Sequence, residues 1–206
     1  MVRLKSQRKA DRSHEFHLVI GKILKEMMPA DSQDFELILD SACEHHLGNE
    51  SRIIPLYLSG SETRTEREIS DVDAIVIDKS NKSNSRISII IEIEESGIKP
   101  IKVCGKFLTS ALADELKIKD AKPISLVQSK PISFIQILRL TDDMKKERSK
   151  LRSKMVLIGD RLSQLAASEP FNIVRYDLLI GDEEDFRFGE AGVLLRNAIK
   201  SGLRPI

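Results

Sequence analysis

The stretch Ile87-Ser88-Ile89-Ile90-Ile91-Glu92-Ile93-Glu94-Glu95 is an apolar run that ends in carboxylates. Isoleucine fills most of it, and β-branched residues this dense predict a central strand covered on both faces. Because side chains alternate along a strand, Glu92 and Glu94 share one face, while Ile91 and Ile93 share the other. Buried acids must be hydrated, paired or bound to a cation, which indicates a functional site. The alternative is that the core ends at Ile91 and both acids face water.

A second apolar run with acids at its mouth lies upstream, from Ile69 to Asp78. The polar segment that follows is rich in Ser, Asn and Lys, and predicts a turn that joins the two strands as an antiparallel hairpin. That pairing sets Asp73 beside Glu92 and Glu94. Mg²⁺ is held by one or two such carboxylates together with waters and phosphate oxygens, so the hairpin predicts an oxygen-rich cation site. The alternative is an acidic sheet edge that deters aggregation.

Length and composition bound the class of protein. The 206 residues predict one domain, with N-terminal helices over about 13–47 and a core over about 50–140. Charged residues make up 32% and the net charge is +1. The overall charge therefore does not indicate a nucleic-acid partner, although a local basic patch is compatible with this balance. Cys43 and Cys104 form no disulfide or metal framework, which favours a cytoplasmic location. No apolar run reaches membrane-spanning length.

The remaining patterns predict helices and strands around the hairpin, and hence an α/β or α+β domain. Apolar spacing and end signals predict helices over 13–28, 31–48, 101–117, 142–167 and 190–200, with a helical turn at 49–54. Strands are predicted over 56–58, 121–126, 132–140 and 171–180. The apolar stripe of the 142–167 helix fits either the core or a dimer seam.

With these residues in hand, the chain from about Glu50 to Leu116 resembles the PD-(D/E)xK phosphodiesterase superfamily, which includes most type II restriction endonucleases. That family has a helix carrying an acid, a strand carrying Asp, a strand with Glu-x-Lys, and a helix packed on the sheet. Glu50 matches the helix acid, Asp73 the strand Asp, and Glu92 the acid of the second strand. Glu94 stands where lysine is usual, and Glu-x-Glu is similar to the variant of BamHI-type restriction endonucleases.

The resemblance implies a restriction-endonuclease-like central mixed sheet flanked by helices. It also implies Mg²⁺-dependent hydrolysis of double-stranded DNA, with Mn²⁺ as a substitute, by a homodimeric type II restriction enzyme that cuts a short palindromic site. Asp73 and Glu92 would hold the metal, and Glu50 and Glu94 would complete the catalytic set. A repair or junction-specific nuclease, or a catalytically inactive DNA-binding relative, is the alternative.

Two assignments remain open at this point. The lysine of the family pattern has possible substitutes in Lys99, Lys102 and Lys106, but we expect Glu94 to fill that position because it shares a strand face with Glu92. Base-reading residues depend on tertiary structure, and the basic candidates are therefore unranked. They are Arg64, Arg67, Lys130 and Arg139.

Overall fold

The structure is a computed structural model, and it describes residues 14–28, 32–44, 52–59, 67–81, 85–96, 98–118, 123–140, 148–168 and 171–203. Its helices are α1 (Glu15–Met27), α2 (Pro100–Leu112), α3 (Arg148–Ala166), α4 (Glu183–Phe188) and α5 (Glu190–Gly202). Its strands are β1 (Phe35–Leu39), β2 (Pro55–Tyr57), β3 (Glu68–Asp71), β4 (Ala74–Asp78), β5 (Arg86–Glu94), β6 (Glu115–Leu116), β7 (Ile124–Ser125), β8 (Ile132–Arg139) and β9 (Ile173–Gly181).

The predicted hairpin is confirmed and forms the centre of a five-stranded mixed sheet. Strands β4 and β5 are antiparallel, with Ala74 opposite Ile91. The full order is β1-β4-β5-β8-β9, in which β1 is antiparallel to β4, while β8 and β9 continue from β5 in parallel. Helices flank this sheet, so the expected α+β class is confirmed.

A second, smaller sheet divides the strand that was predicted over residues 69–78. Strand β3 belongs to a four-stranded sheet of order β3-β2-β6-β7, whereas β4 belongs to the five-stranded sheet. The chain crosses between the sheets at Val72 and Asp73, where Val72 is 1% exposed. Asp73 therefore occupies a bend at the mouth of β4 rather than the middle of a continuous strand.

Both faces of the five-stranded sheet are covered, as the apolar run of β5 predicts. Ile90 packs in the cluster that includes Val103 and Phe107 of α2, together with α3 and the smaller sheet. Ile89 and Ile91 pack on the opposite face in the cluster formed with α1, α4 and α5. The acids of β5 thus end a strand that lies between two apolar layers.

Several predicted elements need correction. The predicted second N-terminal helix is wrong over residues 35–39, which form β1. A short apolar run fits both the helical and the strand spacing of apolar residues, and here it pairs with the otherwise open edge of β4. The helix predicted over 101–117 ends at Leu112, and Glu115–Leu116 instead pairs with β2. Residues 52–54 are not helical. Helix α4 was not predicted, and its N-cap is the Asp182 side chain, which accepts a hydrogen bond from the Asp185 amide.

Among the described residues, no helix is both long and apolar enough to cross a membrane.

Candidate metal and catalytic site

Asp73 lies at the end of β4, held by backbone groups from two neighbouring segments. Its Oδ2 accepts a hydrogen bond from the Ile93 amide at 2.6 Å, and its carbonyl accepts one from the Asp40 amide at 2.9 Å. Ala74 is the last residue of β4 paired with β5, opposite Ile91, and Asp73 precedes it. Its bond to the Ile93 amide and its effect on the pKa of Glu92 show that it lies close to Glu92. The hairpin therefore brings these two predicted site residues together.

Glu92 is the most deeply buried acid of the site. Its side chain is fully buried, so the alternative in which the acids of β5 simply face water is wrong. Among the described residues its Oε2 accepts no hydrogen bond, and its contact there is an ion pair with Lys106 at 3.1 Å. Burial, and after it the charge of Asp73, raise the pKa of Glu92 well above its ordinary value, although Lys106 opposes the shift.

Two lysines of α2 reach the two acids of β5. Lys102 forms an ion pair with Glu94, which is also buried. Lys106, one helical turn later, places Nζ 3.1 Å from Glu92 Oε2 and 3.3 Å from Oε1, and donates to the Asp71 carbonyl at 3.1 Å. Burial lowers the pKa of Lys106, but Glu92 and the other carboxylates outweigh it and raise that pKa above its ordinary value. The Lys106 side chain therefore stays charged beside the acids.

The position of Lys106 bears on which residue replaces the family lysine. The expectation that Glu94 fills this position stays a prediction. However, the Glu94 carboxylate is already paired with Lys102, whereas the Lys106 ammonium contacts the predicted metal ligand Glu92. This geometry favours the alternative, in which the lysine comes from the helix rather than from the strand.

On the opposite face of the sheet, the polar site is extended by four residues that were not predicted: His17, Asp40, Glu95 and Glu183. His17 of α1 lies with Nδ1 3.0 Å from Glu95 Oε2 and Nε2 3.7 Å from Asp73 Oδ1. Arg139 pairs with two carboxylates: its Nη1 lies 2.6 Å from Glu95 Oε1, and its Nη2 lies 2.8 Å from Glu183 Oε1. Asp40 also lies near, and burial together with Asp73 raises its pKa. The available sequence signal was weak: a histidine among the apolar residues of a helix, and the third acid of the β5 run.

Other candidates are placed differently. Glu50 and Arg64 lie outside the described residues. Arg139, proposed as a base-reading residue, is committed to its two carboxylates instead. Arg67 donates to the Leu58 carbonyl at 3.4 Å and lies 4.0 Å from Glu115. A cavity of about 520 Å³ lies between α3, β9 and α5, away from the acids of β5.

No family model, no curated protein and no solved structure matches this chain.

Proposed function

We propose that this protein is a Mg²⁺-dependent endonuclease that hydrolyses phosphodiester bonds of double-stranded DNA, as a homodimeric type II restriction enzyme. The observation that carries the proposal is the proximity of Asp73, whose Oδ2 accepts from the Ile93 amide, to the buried Glu92, with the Lys106 ammonium 3.1 Å from Glu92. Two acids at one end of the central hairpin and one lysine from the following helix α2 match the chemistry that the sequence resemblance implies.

The donor set fits a hard divalent cation. Glu92 Oε2 is buried and contacts Lys106 without accepting a hydrogen bond among the described residues. Burial, and after it the neighbouring Asp73, raise the pKa of Glu92 and so make its ionisation unfavourable. A cation held by Asp73 and Glu92 would remove that penalty, and oxygen ligands are those that Mg²⁺ prefers. When bound there, Mg²⁺ would supply Lewis acidity toward a phosphate oxygen and lower the pKa of a bound water.

The surrounding residues have separate roles in this scheme. The Ile93 amide donates to Asp73 Oδ2 at 2.6 Å and so fixes one oxygen of this carboxylate. Lys106 holds a positive charge where negative charge develops on the phosphate, and such fixed charges stabilise a transition state without reorganisation. Lys102 neutralises Glu94 and so limits the repulsion between the two acids of β5.

Cleavage of supercoiled plasmid DNA tests the proposal. Mg²⁺ or Mn²⁺ should support cleavage and EDTA should abolish it, and Asp73→Asn and Glu92→Gln should each remove the activity. Asp71→Asn is the matched control, because Asp71 lies two residues from Asp73 but is exposed and offers only its carbonyl to Lys106. Full activity in Asp73→Asn or Glu92→Gln, with the metal dependence unchanged, would remove that residue from the mechanism.

The products separate the restriction enzyme from its alternatives. Discrete bands from linear duplex DNA support a site-specific enzyme. Cleavage confined to branched or damaged DNA would instead assign a repair or junction nuclease, and DNA binding without cleavage under any metal would assign an inactive DNA-binding relative.

A further inference from the structure

A second group of metal-ligating side chains lies across the sheet from Glu92. His14 and His17 stand at the start of α1, one turn apart, and Glu95 follows the last residue of β5. One ligand atom from each residue can be chosen so that all three lie within 4.8 Å of one another. His17 Nδ1 and Glu95 Oε2 are already 3.0 Å apart. We propose that His14, His17 and Glu95 bind a transition-metal ion such as Zn²⁺, separately from the Mg²⁺ site.

The donor types favour a transition metal over Mg²⁺. Imidazole nitrogen is a common ligand of Zn²⁺, Cu²⁺ and Ni²⁺, whereas Mg²⁺ prefers oxygen ligands and retains its waters. Two imidazoles and one carboxylate form a three-ligand set, which leaves a coordination position for water or for an external group. The proposed site therefore differs in chemistry from the all-carboxylate pair formed by Asp73 and Glu92.

The residues around the cluster hold two of its ligands in place. Glu95 Oε1 is fixed by Arg139 at 2.6 Å and by the Phe16 amide at 3.3 Å, so that Oε2 is left toward the histidines. His17 directs its other ring nitrogen, Nε2, toward Asp73 Oδ1 at 3.7 Å. Metal-binding histidines commonly donate their second ring N–H to a carboxylate, which fixes the tautomer and the ring orientation. Asp73 is the carboxylate that faces this nitrogen, and a hydrogen bond between them would require an approach of a few tenths of an ångström.

His14 is the ligand that must move closest to complete the three-ligand set. Zinc bonds to nitrogen and oxygen of about 2.1 Å place tetrahedral ligand atoms about 3.4 Å apart, which is shorter than the 4.8 Å limit of the present arrangement. His17 and Glu95 are buried or nearly so, whereas His14 is exposed at the start of its helix. A rotation of the His14 side chain can therefore close the site without moving the core.

Titration with Co²⁺ and Zn²⁺ tests the proposal on the full-length protein. Co²⁺ reports its ligands through visible absorption, and Zn²⁺ should displace it. With excess Mg²⁺ present to occupy Asp73 and Glu92, we expect one equivalent of Co²⁺ to bind to the wild-type protein, and His14→Ala and Glu95→Gln each to weaken that binding at least tenfold. The control is a His45→Ala/His46→Ala double variant, which removes two histidines but keeps the cluster intact and should bind like the wild type.

Two results would overturn the metal site. One is unchanged Co²⁺ affinity in His14→Ala, which should fold normally because His14 is exposed. The other is equal loss of binding in the double variant. Glu92→Gln distinguishes this proposal from the nuclease, since it should abolish cleavage and leave the Co²⁺ spectrum unchanged. A wild-type protein that binds no Co²⁺ would overturn the metal site as well and leave His17 as a hydrogen-bond partner of Glu95, while the proposed function would stand.

Discussion

At the scale of single residues, the two lysines of α2 form a natural comparison. Lys102 and Lys106 lie one turn apart on the same helix and each pairs with an acid of β5, but only Lys106 contacts the proposed metal ligand Glu92. We expect Lys106→Ala to lower the cleavage rate by about 10²–10³-fold, the range typical of a lost electrostatic stabiliser. Lys102→Ala is the matched control and should cost much less. Both rates are measured at saturating Mg²⁺.

Glu94→Ala completes this comparison. A large loss in Glu94→Ala together with an active Lys106→Ala would restore the sequence-based expectation that Glu94 replaces the family lysine. Since Glu94 is buried against Lys102, circular dichroism of each variant must first establish that the fold is retained.

The raised pKa of Glu92 makes a prediction about stability. Burial and the Asp73 charge raise the folded-state pKa above the ordinary value of 4.5, so ionising this residue destabilises the folded state as the pH rises between the unfolded and folded values. In EDTA, Glu92→Gln should therefore raise the Tm relative to the wild type more at pH 8 than at pH 5. Glu36→Gln, which removes a half-exposed acid of β1, is the control for the substitution itself. Equal Tm differences at both pH values would contradict the burial argument.

At the scale of elements, the docking of α1 depends on one close approach. A Cβ added to Gly21 would lie 2.1 Å from the Cys43 carbonyl oxygen, whereas a Cβ on Gly105 of α2 meets no atom within 4 Å. Gly21→Ala should destabilise the protein by about 1–3 kcal/mol through overpacking. Gly105→Ala should stabilise it by about 0.5–1 kcal/mol, because Ala loses less conformational entropy than Gly in a helix.

Urea unfolding of the two variants measures both free energies. The pair is informative because the substitution is identical and only the surroundings differ. If Gly21→Ala proved as stable as the wild type, α1 would be able to shift away from the 41–44 turn, and the placement of His17 beside Asp73 would lose its structural support.

At the scale of the whole molecule, a palindromic DNA site requires two active sites related by a two-fold axis. Helix α3 exposes Val156 and Leu157, which are 50% and 65% accessible, whereas the large apolar residues of α1 are mostly buried. Helix α3 is thus favoured over α1 as the dimer interface. We expect a homodimer by light scattering and a monomer for Leu157→Glu. Val127→Glu, at a comparably exposed position, should remain dimeric, and a monomeric wild type both free and with DNA would contradict the assembly.

The sequence by itself determined the hairpin and the faces of its acids. The two-residue period of a strand is local, so the alternation of Glu92 and Glu94 with Ile91 and Ile93 placed both acids on one face before any packing was known. The density of isoleucine in the same run likewise indicated a strand that is covered on both sides.

Only the tertiary structure decided which groups meet these acids. Lys106 reaches Glu92 because Val103 and Phe107 are buried against the sheet and thereby set the rotation of α2. His17 reaches Asp73 because α1 packs on the opposite face of the sheet. Residues 35–39 form a strand rather than a helix because they pair with the edge of β4, and their own apolar spacing did not specify this. These contacts join segments far apart in the chain, and their geometry depends on packing between elements, which no local pattern of residues encodes.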